Sequence, residues 1–264
     1  MAIKNASSVV LLALSVLLAG CSSNRILQEP GASKVQSVAV VSVSSQRMLL
    51  NSAGGGALIE TQATEGLSGD ASTQQAIKLQ RFAVSRFEQE LSGAPGWKLV
   101  PLDSVARSAA YTKMMQPVRD MARDAYRNHE KFTVAPDGVM LTAKVGEEDD
   151  WNDVLAQVAK ELGVDAVFVL ELDLTYRPNS ITGMSTSASA QIATSVTAVD
   201  SGGKYLANTK GVDITKYRCK STAQGKLLGR YLASAGEADK IFQEALNECI
   251  GKIGADIRQD RSRK

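Results

Sequence analysis

Apolar positions recur at two different spacings along this chain, and the switch between them marks out its elements. "SVAVVSV", residues 37–43, is β-branched and apolar at neighbouring positions, as in a strand covered on both faces. Over "TQQAIKLQRFAVSRFEQEL" the spacing changes to three and four. Ala76, Leu79, Ala83, Phe87 and Leu91 line one side of a helix, leaving Lys78, Arg81, Arg86 and Glu90 in water. "WKLVP" predicts a short strand, and Asp103 or Ser104 can cap a helix from Val105 to about Tyr111. The most regular helix is "EEDDWNDVLAQVAKELG", with Trp151, Val154, Leu155, Val158 and Leu162 as its apolar stripe. Asp150 can cap it, and Gly163 can end it in a left-handed conformation.

"VDAVFVLELDLTYRP" then starts as a buried strand and becomes half-exposed. "SASAQIATSVTAVDSGGKYLANTKGV" predicts a hairpin turning at Asp200–Gly203. A final helix from Glu237 to Ile257 buries Ala238, Ile241, Phe242, Ala245, Leu246, Ile250, Ile253 and Ile257, with Cys249 on the same side. This order predicts an α/β fold: a mixed sheet with packed helices, one strand hairpin and a C-terminal helix. Residues 36–260 are expected to form a single domain. Two segments interrupt the pattern, the Gly-, Ser- and Thr-rich 51–72 and the less regular 112–148, and both are expected to be insertions.

The N-terminus changes the setting. Lys4 precedes an apolar run from Val9 to Ala19, too short to cross a ~30 Å hydrocarbon core and suited to a signal peptide over residues 1–20. Leu18-Ala19-Gly20-Cys21 resembles the lipobox of bacterial lipoproteins. That resemblance implies cleavage before Cys21, a thioether-linked diacylglycerol on its sulfur and an N-acyl chain such as palmitate. Two or more chains hold a protein on a membrane where one does not. Ser22, in place of an aspartate that would favour inner-membrane retention, implies the outer membrane, with the protein on its periplasmic face. Residues 21–35 then form a lipidated tether.

Loss of residues 1–20 removes Lys4 and no acidic residue, so the formal charge of +2 falls by one. No strong overall field favours nucleic acid. The C-terminal "RQDRSRK" is locally basic and reads as a solvated tail. With Cys21 acylated, Cys219 and Cys249 remain of the three cysteines, a candidate disulfide in an oxidising compartment. Two separate buried thiols are the alternative.

Four stretches together carry a wider resemblance: the "VAVV" strand with its following helix, "WKLVPLDSV", "LGVDAVFVLEL" and the "DSGGK" turn. They resemble a group of envelope proteins that includes the curli secretion-pore family, the lipoproteins that activate penicillin-binding proteins, and the N-terminal domain of the Tol–Pal translocation protein. The resemblance implies a protein-binding or assembly factor in the cell envelope, with an envelope protein or a second copy of the chain as partner. The alternatives are an oligomeric curli-like secretion pore component and an envelope hydrolase whose motifs do not announce its site. Against the pore, "STSASAQIATSVTAV" has small polar residues on both registers, where a lipid-facing strand alternates apolar residues.

No catalytic or cofactor motif emerges, so no enzyme, cofactor or metal is expected. His129 is the sole histidine and has no Cys or His at ligand spacing. Gly54-Gly55-Gly56 lacks the Lys-Ser/Thr pair of a phosphate loop. Glu147 to Asp150 lack the spacing of a calcium loop and suit a helix start. Glu171 and Asp173, two apart on a strand, face one way and form a candidate carboxylate pair, against the plainer reading of an exposed sheet edge. Trp97 and Trp151 read as packing residues.

Overall fold

The computed structural model describes residues 25–28, 31–46, 49–50, 69–125, 133–140, 148–179, 186–209, 214–228 and 231–263. Cys21, Gly54–Gly56, His129, Glu147, the predicted signal segment and residues 51–68 lie outside them. The elements are β1 (Ser37–Gln46), β2 (Leu49–Leu50), α1 (Gly69–Ser92), β3 (Lys98–Val100), α2 (Leu102–Ala106), α3 (Ala109–Ala125) and β4 (Thr133–Val134). They continue as α4 (Glu148–Leu162), β5 (Ala166–Pro178), β6 (Ser187–Asp200), β7 (Tyr205–Asn208), β8 (Arg218–Lys220), β9 (Gly225–Leu228), β10 (Tyr231–Leu232) and α5 (Ala235–Ser262).

The fold is mixed α/β. One sheet runs in the order β10-β9-β6-β5-β1-β3. β1 is parallel to both β3 and β5, and β6 is antiparallel to β5 from Ala166–Asp200 to Pro178–Ala188. The far edge of β6 carries β7, β8 and β9 in succession. The long hairpin is therefore β5–β6, and the predicted β6–β7 turn at Asp200–Gly203 is a shorter second one. Gly203 has a φ of +84°, which glycine adopts without the penalty of a β-carbon.

Both faces of the sheet are covered. Val38, Val40 and Val43 face α1 and α5, with Phe168, Leu170, Leu172 and Leu174 of β5. Ala39, Val41, Val167 and Val169 face the other side, with α3 and α4. Val40 and Val43 share a face because a bulge between Val40 and Ser42 shifts the alternation by one residue. Each large apolar side chain so buried contributes about 1.5–3 kcal/mol.

The segment 112–148 is not simply an insertion. α3 begins at Ala109, and Tyr111 and Met115 are core residues. The Tyr111 hydroxyl donates to the Val41 carbonyl and accepts from the Met140 N–H at 2.9 Å. β4 pairs antiparallel with the end of β1. The helix expected from Val105 to Tyr111 is split into α2 and α3. Its start is capped by neither Asp103 nor Ser104: the Glu88 carboxylate of α1 accepts the Leu102 N–H at 2.6 Å. Burial raises the pKa of Glu88, against the lowering effect of that N–H. Residues 69–72 belong to α1, not to an insertion.

α1 and α5 lie side by side and parallel. Gln75 and Lys78 reach Asp239 near their beginnings, and Arg258 reaches Glu90 near their ends. Glu90 is buried, not wet, and pairs with both Arg86 and Arg258. Cys219 of β8 and Cys249 of α5 are bridged, with Cα atoms 5.7 Å apart. The disulfide ties the sheet to the C-terminal helix.

Candidate functional site

β1, β3 and β5 all start at one end of the domain, where α1 and α5 finish. We call this end the base. The N-terminal segment is fixed there. Asp260, buried near the end of α5, accepts the N–H groups of Ile26 and Leu27 at 2.9 and 3.2 Å. The Gln28 N–H donates to the Leu206 carbonyl at 2.9 Å, and Leu27 bridges to Ala207 of β7. Ile26, Leu27, Ala32 and Val35 are buried in the core. The stretch expected to be a tether over 21–35 is thus part of the fold from Ile26 onward.

The basic C-terminal stretch is likewise not a solvated tail. α5 continues to Ser262, and Arg261 stands 5.3 Å from the Trp97 ring centroid. Its guanidinium donates to the carbonyls of Ala32 at 2.5 Å and Pro95 at 3.1 Å. Trp97 also packs 5.6 Å from Phe168, as a packing residue should.

A groove of about 730 Å³ opens between these elements, lined among others by Ser33, Gln36, Lys98, Asp165, Arg261 and Arg263. Asp165 sits just before β5 and turns its carboxylate onto the entry to β1. It accepts the N–H groups of Gln36 and Ser37, both at 2.8 Å, and the Ser37 hydroxyl at 3.0 Å. The two N–H groups, led by that of Gln36, hold Asp165 below the ordinary carboxylate range against a small opposing effect of burial. The Ser37 hydroxyl also accepts the Asp165 N–H at 3.0 Å, so it meets Asp165 as both donor and acceptor. The groove offers cationic side chains around one occupied carboxylate, a surface suited to anions more than to acid–base chemistry.

Glu171 and Asp173 do share a face of β5. That strand lies inside the sheet between β1 and β6, so they mark an open face and not an edge. Glu171 accepts the Ser195 hydroxyl at 3.0 Å. Asp173 is exposed on the strand, yet neighbouring atoms partly desolvate its carboxyl and raise its pKa, a shift opposed by Arg218. Trp151 packs against the second core. Among the described residues no three His, Cys, Asp or Glu side chains are grouped to hold a metal ion, and no helix is long and apolar enough to cross a membrane.

Asp165, Asp260 and Arg261 were not singled out by sequence pattern. One signal existed for Asp260: it continues the spacing Ile250, Ile253, Ile257 into the buried side of α5, where an acidic residue needs a partner.

No family model matches the chain, and no curated protein matches its sequence. Among solved structures, a hypothetical protein from Chlamydia trachomatis aligns over 84% of this chain and 98% of its own, at 9% identity and a TM-score of 0.33. Similarity at that level carries no assignment.

Proposed function

We propose that the chain is a lipoprotein anchored through Cys21 in the outer membrane, facing the periplasm, and that it acts as a protein-binding or assembly factor rather than an enzyme. One observation supports this reading above the others. The chain enters the fold at Ile26, where Asp260 and β7 hold it. Five residue steps separate Cys21 from Ile26, a reach of at most ~18 Å, whereas a free tether to Gln36 would allow ~50 Å. An anchor at Cys21 would hold the domain close to the membrane. The β5–β6 hairpin carries the half-exposed polar residues Glu171, Thr175 and Gln191 that a protein so anchored could present. Such a fixed posture suits a protein that presents a surface to a partner. The buried disulfide suits an oxidising compartment.

Two measurements test this. Intact mass of the protein from native envelopes should show a chain beginning at acylated Cys21, and an unmodified Cys21 would overturn the anchoring. A photo-crosslinker at Thr175 or Gln191 should trap one defined envelope protein or a second copy. The same crosslinker at Lys98 should not. Equal trapping at both ends, or none, would overturn the partner role.

A further inference from the structure

We propose that the base of the domain is a membrane-contact surface that binds the anionic headgroups of phospholipids. The proposal rests on the Cys21 anchor and adds to it which face of the domain meets the bilayer. Three observations carry it.

The first is reach. Ile26 is pinned at the base and only five residue steps follow Cys21 to reach it, so the base lies within ~18 Å of the acyl chains. The second is charge. Lys98 and Arg263 are exposed in the groove lining, Arg263 at 4.0 Å from the Asp260 carboxylate, and Lys34 is exposed between the lining residues Ser33 and Val35. Arg261 spends its donors on the carbonyls of Ala32 and Pro95, not on a carboxylate, so its positive charge stays on this face. The third is the disposition of the acids. Asp165 turns its carboxylate onto Gln36 and Ser37, and Asp260 is buried against Ile26 and Leu27. The groove lining then carries three cationic side chains, Lys98, Arg261 and Arg263, against the one exposed carboxylate of Asp165, although the whole chain is close to neutral. Cations that lie within a Debye length of an anionic surface, about 8–10 Å, are attracted to it.

The test uses the chain from Cys21 with its disulfide intact. Cys21 is then the one free thiol, and a maleimide-headgroup lipid couples it there whether or not a cell acylates it. The coupled chain is compared on vesicles of phosphatidylcholine alone and on vesicles that also contain phosphatidylglycerol. Lysine acetylation followed by mass spectrometry reads the orientation. On the anionic vesicles Lys34 and Lys98 should react about fivefold more slowly, the scale of one basic residue near such a surface. Lys226 and Lys240 should keep their rates, since Lys240 lies ~31 Å along α5 from Arg261. High salt should abolish the protection. Equal protection on both vesicle types, no protection, or protection of Lys226 and Lys240 instead would each overturn the proposal. Acylation in the cell is read separately by the intact mass of Cys21, so failure of the contact surface and failure of the anchor are distinguishable.

Discussion

Replacing Gly254 by alanine should destabilise the protein, while the same change at Gly251, one turn earlier on α5, should stabilise it. A β-carbon on Gly254 would lie 2.5 Å from the Glu90 Cβ of α1. Carbon atoms rest at about 3.5–4.0 Å, so the helices would have to part by roughly 1 Å. Overpacking of this kind costs about 1–3 kcal/mol. It also loosens the pairing of buried Glu90 with Arg86 and Arg258. Against that stands the gain of alanine over glycine in a helix, about 1 kcal/mol. The balance at Gly254 is a net loss of up to ~2 kcal/mol. At Gly251 the new β-carbon meets nothing nearer than the Arg86 guanidinium at 3.9 Å, so the helical gain stands alone. With about 2–4 °C per kcal/mol for a domain of this size, Gly251→Ala should raise Tm by about 2–4 °C and Gly254→Ala should lower it by up to about 4–8 °C. Truncating the Glu90 side chain should not rescue Gly254→Ala, because the Cβ itself is in the way. Thermal unfolding by circular dichroism reads all three variants. A rise in Tm for Gly254→Ala would refute the close approach of α1 and α5.

Four further outcomes are expected. The Cys219–Cys249 bridge closes a loop with a sequence separation of 30, worth about 3.7 kcal/mol on the chain-entropy model; reductant should shift the urea midpoint accordingly, and an unmoved midpoint would contradict it. Tyr111→Phe leaves the buried Val41 carbonyl and Met140 N–H without their partner and should cost about 1–3 kcal/mol in the same assay, whereas a neutral result would mean that 133–140 is not held through Tyr111. Asp165 has a lowered folded pKa, so its stabilisation is present at neutral pH and lost as pH falls through the ordinary range of about 4 toward the folded value. Asp165→Asn should therefore lower Tm at neutral pH, with the gap to the parent closing in acid; a gap independent of pH would count against the Gln36 and Ser37 bonds. Asp260→Ala should speed hydrogen exchange at the Ile26 and Leu27 amides while leaving β5 protected, and unchanged exchange would mean that Asp260 does not hold the segment.

Periodicity alone was enough to find the principal strands and helices, the left-handed end at Gly163, the Asp200–Gly203 turn and the buried side of α5 with Cys249 on it. These are local properties. A repeat of two or of three to four reports which side of an element leaves water, and glycine marks where the backbone needs φ above zero. The same spacing cannot say what covers that side. Glu90 falls on the polar side of α1 by periodicity, yet the close approach of α5 at Gly254 buries it between two arginines. Residues 112–148 lack a clear period, and Tyr111 and Met140 join the core through one hydroxyl shared with a bulged strand. The base of the domain is the clearest case. Asp260 and Ile26 stand 234 positions apart, and Asp165 meets Ser37 from 128 positions away. A near-neutral composition gives a groove with more cations than acids because the fold brings Lys98, Arg261 and Arg263 together at the base, where Asp260 is buried and the exposed Asp165 is bonded to backbone N–H groups. That separation of charge depends on which chain segments meet, and only the folded arrangement decides it.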